Sequence, residues 1–267
     1  MINKELYWKI MMSEKSFENK TIFILGATSG IGYYLAKHYA KLGANLIIAG
    51  RSDQKLHMVH NEIKSATGSI KTEKIDVCDE NYVAGAFKNI NNWLQNQNSK
   101  MDIAINCAGL VKNGEIDTMT NSDFKQMINT NLYGVWLCMK EEIALMKPHK
   151  NGSIINIASN IGLHSIRPLM GGYGATKAAL TILSQTSALE VLPFNLRVHT
   201  LSPGPFDTKL SYRSGEDKKM RDIRIFNSNP SKRVGTLLEI AETIKWLSQS
   251  PHYLVGQDII IDGGASL

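Results

Sequence analysis

Short apolar segments alternate along the chain with longer segments in which apolar residues recur at helical spacing. Strands that are apolar on both faces are covered on both sides, and helical connections between such strands produce a parallel sheet. The pattern therefore predicts an α/β protein with a single doubly wound parallel β-sheet flanked by helices on both faces. The predicted strands lie within 21–25, 45–49, 70–77, 101–109, 152–159, 196–204 and 257–264. The predicted helices span 31–43, 55–68, 81–96, 122–146, 173–192 and 237–249.

The length and composition fit one large domain. The chain has 267 residues, of which 43% are hydrophobic and 20% are charged, as in an ordinary globular protein with a sizeable core. We expect residues 20–267 to form a single domain and residues 1–19 to be a flexible N-terminal extension, because this opening stretch has no continuous apolar segment. A start at Met11 or Met12 is an alternative.

Charge and cysteine content argue against several classes of protein. The formal net charge is +6, but the basic residues are scattered, so we predict no nucleic-acid partner. The cysteines Cys78, Cys107 and Cys138 are far apart and form no CxxC pair, which predicts no metal site and reduced thiols in a cytoplasmic protein. No apolar run approaches the ~18 residues of a membrane span, so we expect no membrane association.

A cluster of glycines follows the first predicted strand and opens the first predicted helix. Gly26, Gly30 and Gly32 form a G-x3-G-x-G pattern. Glycine permits a tight strand-to-helix turn, and the free N–H groups of the first helical turn favour a phosphate. The pattern predicts a dinucleotide site, and a tight turn that binds nothing is the alternative.

An arginine follows the second predicted strand, where dinucleotide-binding folds meet the adenosine ribose. An acidic residue at this place hydrogen-bonds a 2′-hydroxyl, whereas an arginine nearby accommodates a 2′-phosphate. Gly50 stands at the acidic position, and Arg51 and Ser52 follow it. We therefore predict that Arg51 and Ser52 bind the 2′-phosphate of NADP(H), with a solvated surface arginine as the alternative. Asp53 lies past the strand end and is discounted as a substitute acid.

A tyrosine and a lysine stand four residues apart in the predicted helix 173–192. Tyr173 and Lys177 therefore lie on one face of that helix. A lysine cation stabilises a phenolate, and so it lowers the tyrosine pKa from about 10 towards the range useful for acid–base catalysis. A Y-x3-K pair alone is weak support, since ordinary surface packing produces it as well.

Seven motifs taken together carry more weight than any one of them. In chain order they are the glycine loop, NCAG at 106–109, Asn131, Ser159, Tyr173 with Lys177, PGPFDT at 203–208 and GQDIIIDGG at 256–264. In these motifs the chain resembles the short-chain dehydrogenase/reductase family over residues 20–267, and it is similar to the family's 3-oxoacyl-[acyl-carrier-protein] reductases and related carbonyl reductases. The resemblance implies a Rossmann-type fold and an oxidoreductase that interconverts a carbonyl and a secondary alcohol.

The resemblance implies catalytic roles for four residues. Tyr173 would exchange a proton with the substrate oxygen, and Lys177 would lower the pKa of Tyr173 and bind the nicotinamide ribose. Ser159 would hydrogen-bond and polarise the substrate carbonyl. Asn131 would hold a water that relays protons to Lys177.

Three positions depart from the family pattern. Ser159 lies one residue farther from Tyr173 than is common, so Asn160 is a rival for its role. Ser159 is preferred, because a loop insertion of one residue costs little. Leu25 replaces the usual threonine before the first glycine, and Cys107 replaces the second asparagine of an Asn-Asn-Ala-Gly motif. We expect local repacking at both of these positions.

The resemblance also implies a set of cofactor contacts. They comprise the glycine loop, the end of the second strand, the adenine-binding pair Asp76 and Val77, the wall of the cleft after the fourth strand, the catalytic pair and the nicotinamide-binding segment. The residues are Gly26, Thr28, Ser29, Gly30, Ile31, Gly32, Arg51, Ser52, Asp76, Val77, Asn106, Ala108, Gly109, Tyr173, Lys177, Pro203, Gly204, Phe206 and Thr208.

The resemblance places a mobile substrate lid at about 209–230. This segment carries six basic and three acidic residues, a net charge of +3. One hypothesis is an anionic substrate, such as an acyl thioester on a carrier, and the alternative is a solvated lid helix of mixed charge. The residues expected to shape a mostly apolar pocket are Leu110, Ile161, Leu163, His164, Ile166, Leu169, Met170 and Phe206.

The sequence therefore predicts an oxidoreductase that acts on a small-molecule carbonyl/alcohol pair, free or linked to a carrier or to CoA. NADP(H) is favoured as the cofactor, with NAD(H) as the alternative. The helices 122–146 and 173–192 are more apolar than one buried face requires, which together with the resemblance predicts a homotetramer or homodimer. An NADPH-binding regulator or scaffold without turnover is the alternative function.

Overall fold

The computed structural model describes residues 16–267 and contains one parallel sheet of seven strands. The strand order is β3-β2-β1-β4-β5-β6-β7, and every neighbouring pair is parallel. The predicted doubly wound fold is confirmed. The strands are β1 (Thr21–Leu25), β2 (Asn45–Gly50), β3 (Ile70–Lys74), β4 (Ile103–Asn106), β5 (Gly152–Ile157), β6 (Leu196–Pro203) and β7 (Asp258–Ile261).

Eight α-helices connect or follow these strands in the described part of the chain. They are α1 (Gly30–Lys41), α2 (Asp53–Ile63), α3 (Glu80–Asn96), α4 (Asn121–Ile128), α5 (Gly134–Met146), α6 (Gly171–Val191), α7 (Lys218–Ser228) and α8 (Leu237–Ser248). Within residues 16–267, no helix is both long enough and apolar enough to cross a membrane.

The side chains of the central strands build an apolar core on each face of the sheet. Ile24 of β1 is paired with Ile48 of β2 and Ile105 of β4, and these three residues form part of one core. The adjacent residues in each strand point to the opposite face of the sheet. Two of them, Phe23 of β1 and Ile47 of β2, belong to the second core. Burial on both faces explains why these strands read as continuous apolar runs.

The strand order reverses between β1 and β4. In doubly wound sheets a crevice opens at this point, beyond the carboxyl ends of the strands. The glycine loop follows β1 and residues 107–110 follow β4, so the topology brings the two segments to the same crevice.

The helix predicted over 122–146 is divided by a π-helical turn. α4 ends at Ile128, a π turn covers Asn129–Tyr133, and α5 begins at Gly134. The wider turn leaves Asn131 fully buried. Single π turns within helices occur frequently at functional sites.

The domain begins earlier than the predicted boundary at residue 20. Phe17 is buried in the core, where its ring meets the Tyr39 ring edge-on at a centroid distance of 5.0 Å. The Phe17 backbone N–H also donates to the carbonyl of Leu42 at 3.1 Å. Residues 16–19 therefore belong to the domain, and the rest of the predicted extension, 1–15, lies outside the described residues.

Candidate active site

The glycine loop is a close-packed turn in which two positions have no room for a side chain. Gly26 has φ +80°, and a Cβ there would lie 2.9 Å from the backbone N of Ala108. A Cβ on Gly32 would lie 2.4 Å from the carbonyl O of Gly26. The N-cap residue Ser29 makes no side-chain hydrogen bond to the first turn of α1. A narrow cradle facing an uncapped helix N-terminus fits the pyrophosphate of a dinucleotide.

Thr208 lies across the crevice from this loop. Its methyl carbon would be 3.6 Å from a Cβ on Gly30. Pro203 ends β6, and Gly204 packs so closely on Asp262 that a Cβ would lie 2.6 Å from the Asp262 Cβ. The segment after β6 therefore approaches the glycine loop. Its binding of the nicotinamide end of a cofactor stays a prediction.

Phe206 differs from the expected cleft residue. Its ring is buried in the core, and a Cβ on Gly235 would lie 2.4 Å from the ring carbon Cε1. The ring packs beneath the loop instead of projecting from it, and the predicted contact of Phe206 with the cofactor stays a prediction.

Arg51 occupies the end of β2 with its side chain exposed. No described residue forms an ion pair or a hydrogen bond with its guanidinium. The Ser52 hydroxyl caps α2 by accepting from the backbone N–H of Lys55 at 3.3 Å. Asp53 is paired with Lys74 at 3.1 Å and therefore does not neutralise Arg51.

Asp76 and Val77 follow β3 and are held in different ways. The Asp76 carboxylate is exposed and accepts from the backbone N–H of Cys78 at 3.1 Å. Val77 is buried, and a Cβ on Gly134 would lie 2.6 Å from the Val77 Cβ. Val77 therefore packs against the start of α5.

Tyr173 and Lys177 lie one turn apart near the start of α6. The Lys177 ammonium is 5.9 Å from the Tyr173 ring centroid and donates to the carbonyl of Ile157 at 2.7 Å. Burial lowers the pKa of Lys177 to about 8, although the nearby Cys107 thiol opposes this shift. The Ile157 carbonyl therefore orients the ammonium, an interaction for which the sequence offers no signal.

The expected lowering of the Tyr173 pKa is not observed. Burial raises the pKa of this phenol, and a hydrogen bond with Ser159 only partly opposes the shift. Tyr173 therefore retains its proton at neutral pH. The pKa rises because the loss of hydration of a buried phenolate outweighs the hydrogen bond from Ser159.

Ser159 and its rival Asn160 point to different places. The Ser159 hydroxyl reaches Tyr173 and also accepts from the backbone N–H of Ile161 at 3.1 Å. The Asn160 side chain is buried and donates to the Asp262 carboxylate at 3.2 Å. The structure thus brings Ser159, and not Asn160, beside Tyr173.

Asn131 connects the π turn to both neighbouring segments. Its carboxamide accepts from the Leu110 N–H and donates to the Leu110 carbonyl, both at 2.8 Å. The same amide nitrogen donates to the Thr176 hydroxyl at 3.1 Å, and that hydroxyl donates to the Tyr173 carbonyl at 2.7 Å. A Cβ on Gly109 would lie 3.5 Å from the Asn131 Oδ1. Asn131 therefore positions the wall of the cleft and the start of α6, and Thr176 is a linking residue that sequence reasoning missed.

Asn106 was expected along the cofactor cleft, but its side chain faces the core. The amide donates to Glu142 at 3.1 Å and to Asn156 at 2.8 Å, and Asn156 donates to Ser184 at 2.8 Å. The strand alternation turns Asn106 towards α5 and α6, away from the glycine loop.

His164 also differs from the expected pocket wall. Its Nε2 lies 2.6 Å from the Asp258 carboxylate, which accepts at its other oxygen from the Ser202 hydroxyl at 2.7 Å. This chain of contacts fastens the loop after Ser159 to β6 and β7.

Three of the six basic residues of the lid form ion pairs within the protein. Arg221 contacts Asp207 and Asp222, and Arg224 contacts Glu216. Lys218 also pairs with Asp222, at 2.6 Å. The structure favours the hypothesis of a lid with mixed charges over that of a patch kept free for an anion, and the basic side chains with no such pair are those of Lys209, Arg213 and Lys219.

Comparison with known proteins agrees with this fold. The profile of the family described as enoyl-(acyl carrier protein) reductase matches residues 26–266. The chain is 29% identical over 248 residues to a 3-oxoacyl-[acyl-carrier-protein] reductase of Thermotoga maritima, covering 92% of this chain and 98% of the relative. It is 28% identical over 274 residues to a 3beta-hydroxysteroid dehydrogenase of Mediterraneibacter gnavus, covering 93% and 95%.

Solved structures show the same architecture. A short-chain type dehydrogenase/reductase from Mycobacterium marinum superposes with a TM-score of 0.84 at 29% identity, covering 96% of this chain and 98% of that one. The family profile, matched over residues 26–266, includes the glycine loop and the segment that carries Tyr173 and Lys177. The chain therefore belongs to the short-chain dehydrogenase/reductase family and is an oxidoreductase of carbonyl and alcohol groups.

Proposed function

We propose that the protein is an NADP(H)-dependent oxidoreductase that interconverts a carbonyl and a secondary alcohol, with Tyr173 as the acid–base. The observation that carries the proposal is the cluster at the start of α6. Ser159 reaches Tyr173, Lys177 lies one turn away, and Asn131 is linked to both segments that frame them. The glycine cradle opens on the same crevice.

The residues of the cluster divide the work at the substrate oxygen. A bound nicotinamide cofactor supplies or accepts the hydride. Tyr173 donates a proton to the oxygen of the carbonyl that is being reduced, or accepts it from the alcohol. The Ser159 hydroxyl polarises that carbonyl, and the Lys177 cation stabilises the phenolate left on Tyr173.

The pKa shifts favour reduction near neutral pH. Because burial raises the pKa of Tyr173, the phenol holds a proton ready for donation. Lys177, with a pKa of about 8, loses its charge as the pH rises past that value. The chain's own groups are therefore in the state for proton donation below about pH 8.

The first experiment is to measure oxidation of NADPH and NADH side by side against a panel of carbonyl compounds. The panel contains β-ketoacyl thioesters, ketosteroids, cyclic ketones, sugar-derived ketones and quinones. The names of the relatives motivate the first two classes. Turnover of one class with NADPH supports the proposal. NADPH binding without turnover of any class favours an NADPH-binding regulator, the second candidate.

Replacing Arg51 with Ala is expected to weaken NADPH binding at least 10-fold more than NADH binding, in keeping with about 1.5–3 kcal/mol for a charge-assisted contact to phosphate. Arg51 is exposed and unpaired among the described residues, so its loss leaves the fold intact. Dissociation constants from nucleotide fluorescence test this directly. Lys64→Ala, which removes an exposed cation at the far end of α2, is the matched control. Equal weakening of both nucleotides by Arg51→Ala would contradict the assignment.

We also propose that two or four copies of the chain associate through α5 and α6. Ile182 and Leu189 project from one face of α6 and are 54% and 65% exposed. Tyr133 and Trp136 stack on each other at the surface beside α5, with ring centroids 5.7 Å apart. Aromatic and apolar side chains exposed together are typical of interfaces between subunits.

The double variant Ile182→Glu with Leu189→Glu is expected to reduce the molar mass in solution from that of the oligomer to that of the monomer. Carboxylates placed in an apolar interface lose hydration that no partner replaces. Light scattering coupled to size exclusion gives the mass. Met58→Glu, at an apolar position of α2 that is 57% exposed, is the control and keeps the oligomer. A wild-type protein that already runs as a monomer would overturn the proposal.

A further inference from the structure

The lid contains a cation that is almost entirely withdrawn from solvent. The side chain of Arg221 on α7 is only 1% exposed. Its guanidinium donates to Asp207 at 2.7 Å, to the Ser211 hydroxyl at 3.2 Å and to Asp222 at 2.8 Å, and it stacks over the Tyr212 ring at 4.4 Å. A buried charge is tolerated only when such partners replace its water, so the removal of one partner is costly.

One of these partners, Asp207, lies outside the lid segment 209–230. Asp207 lies in the loop after β6, between the buried ring of Phe206 and Thr208. Its backbone N–H donates to the Gly235 carbonyl at 3.1 Å, while the Thr208 N–H donates back to the Phe206 carbonyl at 2.7 Å. The loop is therefore folded tightly around Asp207, and the carboxylate is its link to α7.

Thr208, the next residue, faces the glycine loop. Its methyl carbon would be 3.6 Å from a Cβ placed on Gly30, at the start of α1. We propose that Arg221 is a positioning residue that, by holding Asp207, fixes Thr208 opposite the glycine loop and couples the packing of the lid to cofactor binding. This inference rests on the proposed nicotinamide-dependent function.

A second arginine in the same helix provides the contrast. Arg224 donates to both carboxylate oxygens of Glu216, at 2.6 and 2.7 Å, and to the Ser211 carbonyl at 2.9 Å. All of these partners lie within the lid, and none lies in the loop 203–208. Arg224 therefore makes no direct contact with the loop 203–208, whereas Arg221 bonds Asp207 of that loop itself. The link from Arg224 to the loop is indirect, because the N–H and the hydroxyl of its partner Ser211 donate to the Thr208 carbonyl at 3.1 and 2.7 Å.

Replacing Asp207 with Asn tests the coupling on the full chain. The replacement amide would keep an oxygen that accepts from Arg221, and the Asp207 side chain is 59% exposed, so we expect only a small change in Tm. We expect a roughly 10-fold weaker Kd for NADPH, because the neutral amide holds the Arg221 cation less firmly than the carboxylate does. Asp207→Glu, which keeps the charge, is expected to restore most of the affinity. Arg224→Met, which disrupts a lid-only pair, is expected to leave the Kd within about twofold of wild type.

Coupling is reciprocal, so bound NADPH must also stabilise the lid. The exposed residues Lys218 and Lys219 open α7 and are sites for trypsin. NADPH is expected to slow cleavage there at least several-fold in the wild type and in Arg224→Met, but much less in Asp207→Asn. The double variant Arg221→Met with Asp207→Asn is expected to bind NADPH no more weakly than Arg221→Met alone.

The outcomes separate the two proposals. If wild-type protein binds neither NADPH nor NADH, the proposed function is wrong and the coupling falls with it. If wild type binds NADPH while Asp207→Asn shows the same Kd and the same protection from trypsin, the function stands and the positioning role of Arg221 is overturned. A loss of affinity in Arg224→Met equal to that in Asp207→Asn also overturns it, because the effect would then arise from general disturbance of the lid.

Discussion

Replacement of Tyr173 with Phe is expected to lower kcat for carbonyl reduction about 10³-fold or more, while the Kd for NADPH stays within about twofold of wild type. General acid–base groups contribute about 10²–10⁴-fold to enzymatic rates. The variant removes only the hydroxyl that reaches Ser159 and keeps the ring at the start of α6. Lys177, one helical turn away, keeps its hydrogen bond to the Ile157 carbonyl, so the cofactor side of the crevice keeps its geometry.

The measurement combines steady-state turnover on the carbonyl identified by the substrate panel with nucleotide binding by fluorescence. Tyr253→Phe is the matched control, because this phenol is fully exposed and far from the cluster in sequence. Full activity in Tyr173→Phe would exclude the phenol as the proton donor. A parallel loss of NADPH affinity would instead assign the ring a structural part in the cofactor site.

The fold could be predicted from the sequence because its strands are buried on both faces. In the predicted strand 45–49, positions 46–49 are apolar one after another, and the observed strand covers Asn45–Gly50. The tight glycine loop could be predicted for a similar reason. A Cβ on Gly26 or Gly32 would collide with nearby backbone atoms, so only glycine fits at these two positions. Burial and steric exclusion each restrict the residue type at single positions, and such restrictions are visible in the sequence.

Other features of the structure depend on hydrogen-bond register and on residues distant in the sequence. The spacing of apolar residues carries no information about either. The pattern over 122–146 predicts one helix, whereas the shift to π hydrogen bonding at Asn129–Tyr133 changes its phase without changing its composition. Asn106 faces the core because of its place in β4, and Arg221 reads as a solvated lid cation until Asp207 is brought to it by the fold. Charged groups in the sequence do not show which of them will be buried.

Glu142→Gln is expected to stabilise the protein at alkaline pH. The Glu142 side chain is fully buried on α5, one oxygen accepts from Asn106 at 3.1 Å, and the other has no partner among the described residues. Burial raises the pKa of this carboxyl from 4.5 to about 8, although the bond from Asn106 opposes the shift. A group with a raised folded-state pKa stabilises the fold fully below its unfolded pKa, and that contribution is lost as the pH rises through the folded-state value.

The pH window follows from these two values. Between about pH 5 and pH 8, wild type is expected to lose stability relative to the variant by about 1.4 kcal/mol per pH unit, or about 4 kcal/mol in all, and the difference levels off above pH 8.

Urea unfolding of both proteins at one-unit steps from pH 5 to pH 9 measures this difference. Other titrating groups, including Lys177, are common to the two proteins and cancel. Glu141→Gln, at the half-buried neighbouring position on α5, is the control and is expected to follow the wild-type pH dependence within about 0.5 kcal/mol. Parallel curves for wild type and Glu142→Gln would show that the carboxyl is already ionised in the folded protein. Its unpartnered oxygen would then need a cation or water that reaches the core beneath Asn106, and the network joining β4, β5 and α6 would be hydrated instead of dry.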